Sequence, residues 1–499
     1  MSSDELPDAR DRPRWHFMPP SGWMNEPHGI LHHGGRHHMF YQRNERGPFW
    51  GDITWGHAVS DNLIDWVDLG SALTPAGVSI APQGIWSGSS AVDADGEPVL
   101  FFTAGDDRDR PNQRTAIARP VDASDPDLRD WVPSEAPVTF IHDAQDALAG
   151  EGRRLLPSEF RDPYVWREED CWFQLVGAGI EQEGGTALLF EASAPEGPWR
   201  YRRPVYVGDS TSLPATGVMW ELPSLISVGH GAHRRHALLV TPWWPAPTRH
   251  SLQHQWYWLG RWDADAGVFV PDDPAPRELD FGGYFTGATP SLPPDGRTLV
   301  WSITQDLRSD AAHHEAGWAG HAGAPVELHL VGDRLVPSPI VELEALREKS
   351  VSIAVGVERA TFDVGPMWDL ELEARIGTGS VVEVALRADG QGGAAALARV
   401  RRSGDGVASV VVEGPVERGV RRMGLHHGID EVVRLRILAD HSAVEIFVEG
   451  AGMLTTRAWS TGVGDAVEIG TAGAAEVVDA VVHRLRPARM TSNRLPARP

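Results

Sequence analysis

Three acidic residues stand out by the company they keep. Glu26 lies in SGWMNEPHG, Asp162 in SEFRDPYVW and Glu221 in GVMWELPSL, each an apolar, aromatic segment carrying a proline just after the acid. A carboxylate in such surroundings is costly to bury unless it is paired or used. Carboxylates converging in a Trp-lined pocket suit glycoside cleavage. One is ionised and attacks or stabilises an oxocarbenium-like centre, and another is held protonated to supply a proton to the leaving oxygen. One such acid alone reads as a turn cap; three at matching places in a repeat do not.

A repeat is what would bring these positions together. Short runs such as ITWGHAVS (53–60), PVLFFTAG (98–105), TALLFEAS (186–193) and TLVWSIT (298–304) are bounded by Gly, Pro, Asp or Asn, the pattern of short strands and tight turns. The strands recur as a unit in which a small or acidic turn is followed by an aromatic opening the next strand. The closing positions are Trp66, Trp131, Trp199, Phe269 and Leu335, at intervals of 65, 68, 70 and 66 residues. Five sheet-sized units at a steady period predict a five-bladed β-propeller, an all-β fold. The first strand of each blade lines the axis, and its residues meet at one mouth. Glu26, Asp162 and Glu221 fall 40, 37 and 48 residues before their closing positions. Ser87 and Thr289 take the corresponding places in blades two and five, 44 and 46 residues before theirs.

The chain divides accordingly into an N-terminal tail (1–15), the propeller (16–340), a short linker helix VELEALREKS (341–350), a second domain (351–487) and a loose tail (488–499). In the second domain strands such as SVVEVALRAD and AVEIFVEG alternate strictly, which predicts a C-terminal β-sandwich with one face of each sheet wet. Over the 499 residues, 45 Lys+Arg against 69 Asp+Glu leave a net charge of −24, so a nucleic-acid or anionic-membrane partner is not expected. Cys171 is the single cysteine, which excludes an intrachain disulfide, and it heads a strand as a core residue. The polar N-terminus lacks the apolar core of an export signal and no apolar run approaches the ~18 residues of a membrane span, so a cytoplasmic location is expected. His32, His33, His37 and His38 read as the wet face of a hairpin rather than as metal ligands, and no metal or other cofactor is expected.

SGWMNEPHG resembles the WMNDPNG box of glycoside hydrolase family 32, the invertases, fructanases and related fructosyltransferases. EFRDP is similar to that family's RDP box and MWELP to its WEC-P box, with further likeness in FYQ (40–42), FWGDITWGHAVSDNLIDW (49–66), WSGSS (86–90), GWAG (317–320) and DHSAVEIFVEG (440–450). The resemblance implies a five-bladed propeller followed by a β-sandwich. It implies Glu26 as nucleophile, Glu221 as general acid/base and Asp162 as transition-state stabiliser. Asn25, Gln42, Trp50, Trp86, Ser87 and Arg161 fall on positions lining the fructose pocket. The chemistry implied is retaining cleavage of a terminal β-D-fructofuranosyl unit from sucrose or a short fructooligosaccharide, with the carboxyl pair about 5–5.5 Å apart. Beside Asp162, the Arg161 cation is expected to keep that acid ionised.

The likeness has departures. The family nucleophile is Asp, here Glu26; His28 replaces the second Asn of the box, Leu222 the usual Cys and Trp86 the usual Phe; YFTG (284–287) stands for a DFYA-like segment. Transfer to a sugar hydroxyl, anhydride formation, sugar binding without turnover, and an inverting arabinan- or xylan-type reaction stay open on sequence alone. The sandwich is expected to brace the propeller or to serve as a dimer surface.

Overall fold

The short runs bounded by turn residues become strands of five antiparallel meanders. In a computed structural model, residues 10–492 are described, apart from 77, 107, 109–110, 246–254, 353–357, 416–418, 426–431 and 461–463. The innermost strands are Gly22–His33, Gly84–Val92, Leu155–Glu168, Met219–Val228 and Phe285–Ser291, and each belongs to a separate sheet. Each inner strand packs against the next, and the fifth packs against the first, closing a ring of five blades.

The closing residue of the repeat has a physical job in every blade. Trp66, Trp131, Trp199, Phe269 and Leu335 are all buried at or beside the outermost strand. The indole N–H groups of Trp66, Trp131 and Trp199 donate to the carbonyls of Leu63, Leu128 and Pro195 at 3.2, 2.7 and 3.0 Å. Each ring therefore buries its face while its single donor is satisfied by the turn that delivers it.

Three sequence expectations need correction at element ends. The linker helix shortens to a 3-10 turn, Val341–Leu346, because Leu343 and Leu346, three residues apart, are the buried pair; Arg347–Ser352 is already a sandwich strand. The C-terminal tail opens with Met490–Ser492, which adds in parallel to the outer strand Trp66–Leu73 of blade one; its remainder, 493–499, lies outside the described residues. His38 is completely buried, its Nδ1 3.0 Å from His57 Nε2, so only part of the histidine hairpin is wet.

Two six-stranded sheets form the C-terminal sandwich. It is joined to the propeller through buried polar groups. Of the expected N-terminal tail 1–15, residues 1–9 lie outside the described residues, whereas residues 10–15 are held by this junction. The backbone N–H groups of Arg14, Trp15 and His16 all donate to the Asp440 carboxylate, at 2.7–2.9 Å. His16 bridges Asp440 at 3.0 Å and Glu445 at 3.3 Å. Burial alone would lower the His16 pKa, but Glu445 and Asp440 together outweigh it and raise it to about 9.

A raised histidine pKa stabilises the fold fully below its unfolded value and loses that contribution as pH climbs through the folded one. The stability difference between wild type and His16→Gln in urea should therefore be constant below about pH 6.5 and shrink towards pH 9. Asp440→Ala should cost about 3–5 kcal/mol, since it strands buried donors and a buried cation; a loss under 1 kcal/mol would show that the domains are joined by other means.

Candidate active site

All five inner strands break register at one equivalent place, and the strands Gly22–His33 and Leu155–Glu168 each carry a second irregularity, between His28 and Leu31 and between Leu155 and Phe160. The shared breaks fall between Met24 and Pro27, Trp86 and Gly88, Arg161 and Tyr164, Glu221 and Ser224, and Thr286 and Thr289. Pro27, Pro163 and Pro223 sit in or beside these breaks, where a residue without an N–H costs no ladder bond. A bulge re-aims the side chains at a strand end. Asp162 and Leu222 adopt left-handed backbone, φ 61° and 48°, and Gly287 does so at φ 65°. For the two non-glycine residues this is strain of about 1–3 kcal/mol each, stored at the axis.

The bulged ends surround a cavity of about 330 Å³. Of the residues singled out in the sequence, Asn25, Glu26, Gln42, Trp50, Trp86, Arg161, Asp162 and Glu221 line it. Glu26 and Asp162 are almost fully buried, whereas Trp50 is 59% exposed at the mouth, its ring centroid 6.1 Å from that of Trp86. Ser87 is not a lining residue. It is completely buried, accepts a hydrogen bond from the Gln42 amide and donates its own hydroxyl to Glu26. In blade five the lining residues are Thr286 and Gly287, not Thr289, because the register break falls two residues earlier than the repeat spacing suggests.

Arg161 takes partners that its sequence neighbour does not reveal. Its Nε and one terminal nitrogen donate to Glu221 Oε1 at 3.1 and 2.9 Å, and the other terminal nitrogen donates to Glu159 and to Gln113 Oε1. The Trp243 ring covers the guanidinium at 5.1 Å. The expectation that Arg161 keeps Asp162 ionised therefore fails. Burial dominates Asp162 and, with repulsion from Glu221 and Glu26, outweighs the arginine, pushing its pKa up to about 8. The Asp162 carboxylate accepts one backbone N–H, from Leu222 at 3.1 Å. Burial likewise raises Glu26 to about 7, against the opposing Ser87 hydrogen bond.

Gln113, Glu159, Leu222, Thr241, Trp243, Thr286 and Gly287 complete the lining. Glu159 was legible: two residues before Arg161 on one strand, it falls on the same face. Gln113, Thr241 and Trp243 come from second and third strands, which carry no acid and no box to mark them.

"Glycosyl hydrolases family 32 N-terminal domain" matches residues 16–339, and "Glycosyl hydrolases family 32 C terminal" matches residues 342–484. A cell wall beta-fructofuranosidase of Zea mays is 32% identical over 386 residues, covering 73% of this chain but 63% of its own length. Sucrose-6-phosphate hydrolase of Zymomonas mobilis is 29% identical over 458 residues, 87% of this chain and 83% of that one. The crystal structure of fructan 1-exohydrolase IIa from Cichorium intybus superposes with a TM-score of 0.83 at 22% identity, covering 97% of this chain and 99% of that one, a likeness of fold.

Infrared-detected titration of the ligand-free protein should show the Glu26 and Asp162 protons leaving near pH 7 and pH 8. Glu26→Gln should remove the first and Asp162→Asn the second, while Ser87→Ala should move the first to higher pH by removing a bond that favours the carboxylate. Complete ionisation of both acids by about pH 5 would contradict the burial argument.

Proposed function

The chain belongs to glycosyl hydrolases family 32, and on that premise we propose that it is a retaining glycosidase removing a terminal β-D-fructofuranosyl unit from neutral fructosides. The observation that carries this reading is the convergence of Glu26, Asp162 and Glu221, from three blades, on one cavity. The likeness to the maize beta-fructofuranosidase and the Zymomonas sucrose-6-phosphate hydrolase supports fructosyl hydrolysis.

Glu26 attacks the anomeric carbon as that carbon's bond to the leaving glycosyl oxygen breaks, and Glu221 passes its proton to that oxygen. Glu221, now ionised, takes a proton from water, whose oxygen displaces Glu26 and frees fructose with its configuration retained. Asp162, held protonated by burial at neutral pH, donates to a fructosyl hydroxyl and ionises after Glu26. The exposed face of Trp50 offers a stacking surface for the leaving sugar ring.

Charge argues for an unphosphorylated substrate. Among the described residues lining the cavity, Glu26, Glu159, Asp162 and Glu221 face one cation, Arg161, which is already bonded to two of them. A phosphate there would meet carboxylates and no free guanidinium.

Sucrose, 1-kestose, inulobiose and levanbiose should each be followed by proton NMR, with Glu26→Gln as control. Early β-fructofuranose, abolished in the variant, is the expected result. New oligosaccharides or a cyclic disaccharide would assign the same intermediate to transfer, and binding without turnover would leave a sugar-binding propeller. For hydrolysis, kcat/KM should fall as pH drops below about 7, where Glu26 takes up its proton, and sucrose 6-phosphate should be cleaved at least about tenfold less efficiently than sucrose.

A further inference from the structure

We propose that Glu159 is a positioning residue that divides the Arg161 cation and so keeps a proton available on Glu221; this rests on the assignment of Glu221 as the acid of the proposed reaction. Glu159 and Arg161 alternate on the inner strand Leu155–Glu168, with their side chains on one face. Four of the five guanidinium N–H groups are engaged. One edge donates to Glu221 Oε1 at 3.1 and 2.9 Å, and its far end donates to Glu159 and to Gln113 Oε1, the latter at 3.3 Å. Gln113 is itself fixed, its Oε1 also accepting the Phe160 N–H at 2.9 Å. Trp243 closes the face of the guanidinium.

A permanent cation bonded to a carboxylate favours its ionised form. That is the wrong form for an acid that must protonate a leaving oxygen, unless a second anion draws on the same cation. The charged groups around Glu221 are Arg161 and, on the opposing side, Glu26, Asp162 and Glu159. Glu26 and Asp162 have their own parts in the proposed reaction. Glu159 is the acid bonded to the guanidinium end remote from Glu221. Taking away its charge leaves Arg161 acting on Glu221 undivided and removes one repelling neighbour. Both changes draw the proton off Glu221.

Glu159→Gln, which preserves shape and a polar terminus, should therefore move the basic limb of the kcat/KM profile for sucrose to lower pH by about one unit, a roughly tenfold loss above that limb. The acid limb, set by Glu26, should stay in place. Glu159→Asp, which keeps the charge, should restore the basic limb at least in part. A p-nitrophenyl β-fructofuranoside, whose leaving group needs little protonation, should lose much less to Glu159→Gln than sucrose does. An unmoved basic limb, or a uniform loss at every pH with equal loss on both substrates, would overturn the role of Glu159 while leaving the fructosidase reading intact. Wild-type protein inactive on both fructosides would instead remove the reading on which it rests.

Discussion

Four carboxylates held against one guanidinium dominate this molecule. Were Glu26, Glu159, Asp162 and Glu221 all ionised beside Arg161, the cavity would carry a formal charge of 1 − 4 = −3. In a buried setting that cannot persist, and the acids respond by holding protons, as the raised values of Glu26 and Asp162 record. Catalysis by carboxyl pairs needs this frustration: an acid and a base of the same chemical type differ in protonation because their surroundings differ. The groups must also be kept from relaxing apart, so the fold has to be stiff where they meet.

The propeller supplies the stiffness through closure. Each inner strand is flanked by two others of its kind, so moving one acid means moving a sheet. Closure is reinforced from both edges of blade one, by Trp318–Ala319 beside the inner strand and Met490–Ser492 beside the outer one, both parallel additions from distant chain. The sandwich is secured through Asp440, His16 and Glu445, and again where Asp280 accepts the Gly283 N–H and both the N–H and hydroxyl of Thr455, at 2.7–3.0 Å. Such directional groups fix one docking geometry, where an apolar seam would tolerate sliding.

The sequence revealed what repeats and concealed what crosses between repeats. The closing aromatics were legible because every blade buries one against its own preceding turn, a local event with a local signature. The acids were legible because a proline beside a buried carboxylate is uncommon in a strand interior. Arg161 was legible as a lining residue but not its partners, since its bonds to Glu221 and Gln113 cross blade boundaries and depend on side-chain conformation. Gly287 is hidden behind Thr289 because the spacing to the closing residue varies from 37 to 48 positions between blades, more than the two residues that separate them. The strand Met490–Ser492 had no signature at all: three residues pairing with a strand more than 400 positions away.

Glu in place of Asp at position 26 gains its meaning from the facing blade. A glutamate carries its carboxylate about 1.5 Å further than aspartate would, and an error of that order at a reacting centre can cost about a hundredfold in rate. The side chain is constrained at both ends. At its root, a Cβ on Gly287 would stand 2.8 Å from the Glu26 Cβ and 3.3 Å from its Cγ, so any larger residue there would push the carboxylate forward. Gly287 is also the residue best suited to the left-handed backbone at that bulge. At its tip, the Ser87 hydroxyl holds one carboxylate oxygen and is itself held by Gln42. With the root seated against bare backbone and the tip tethered from blade two, the extra methylene is taken up within the pocket wall, and the longer side chain has one defined reach instead of several.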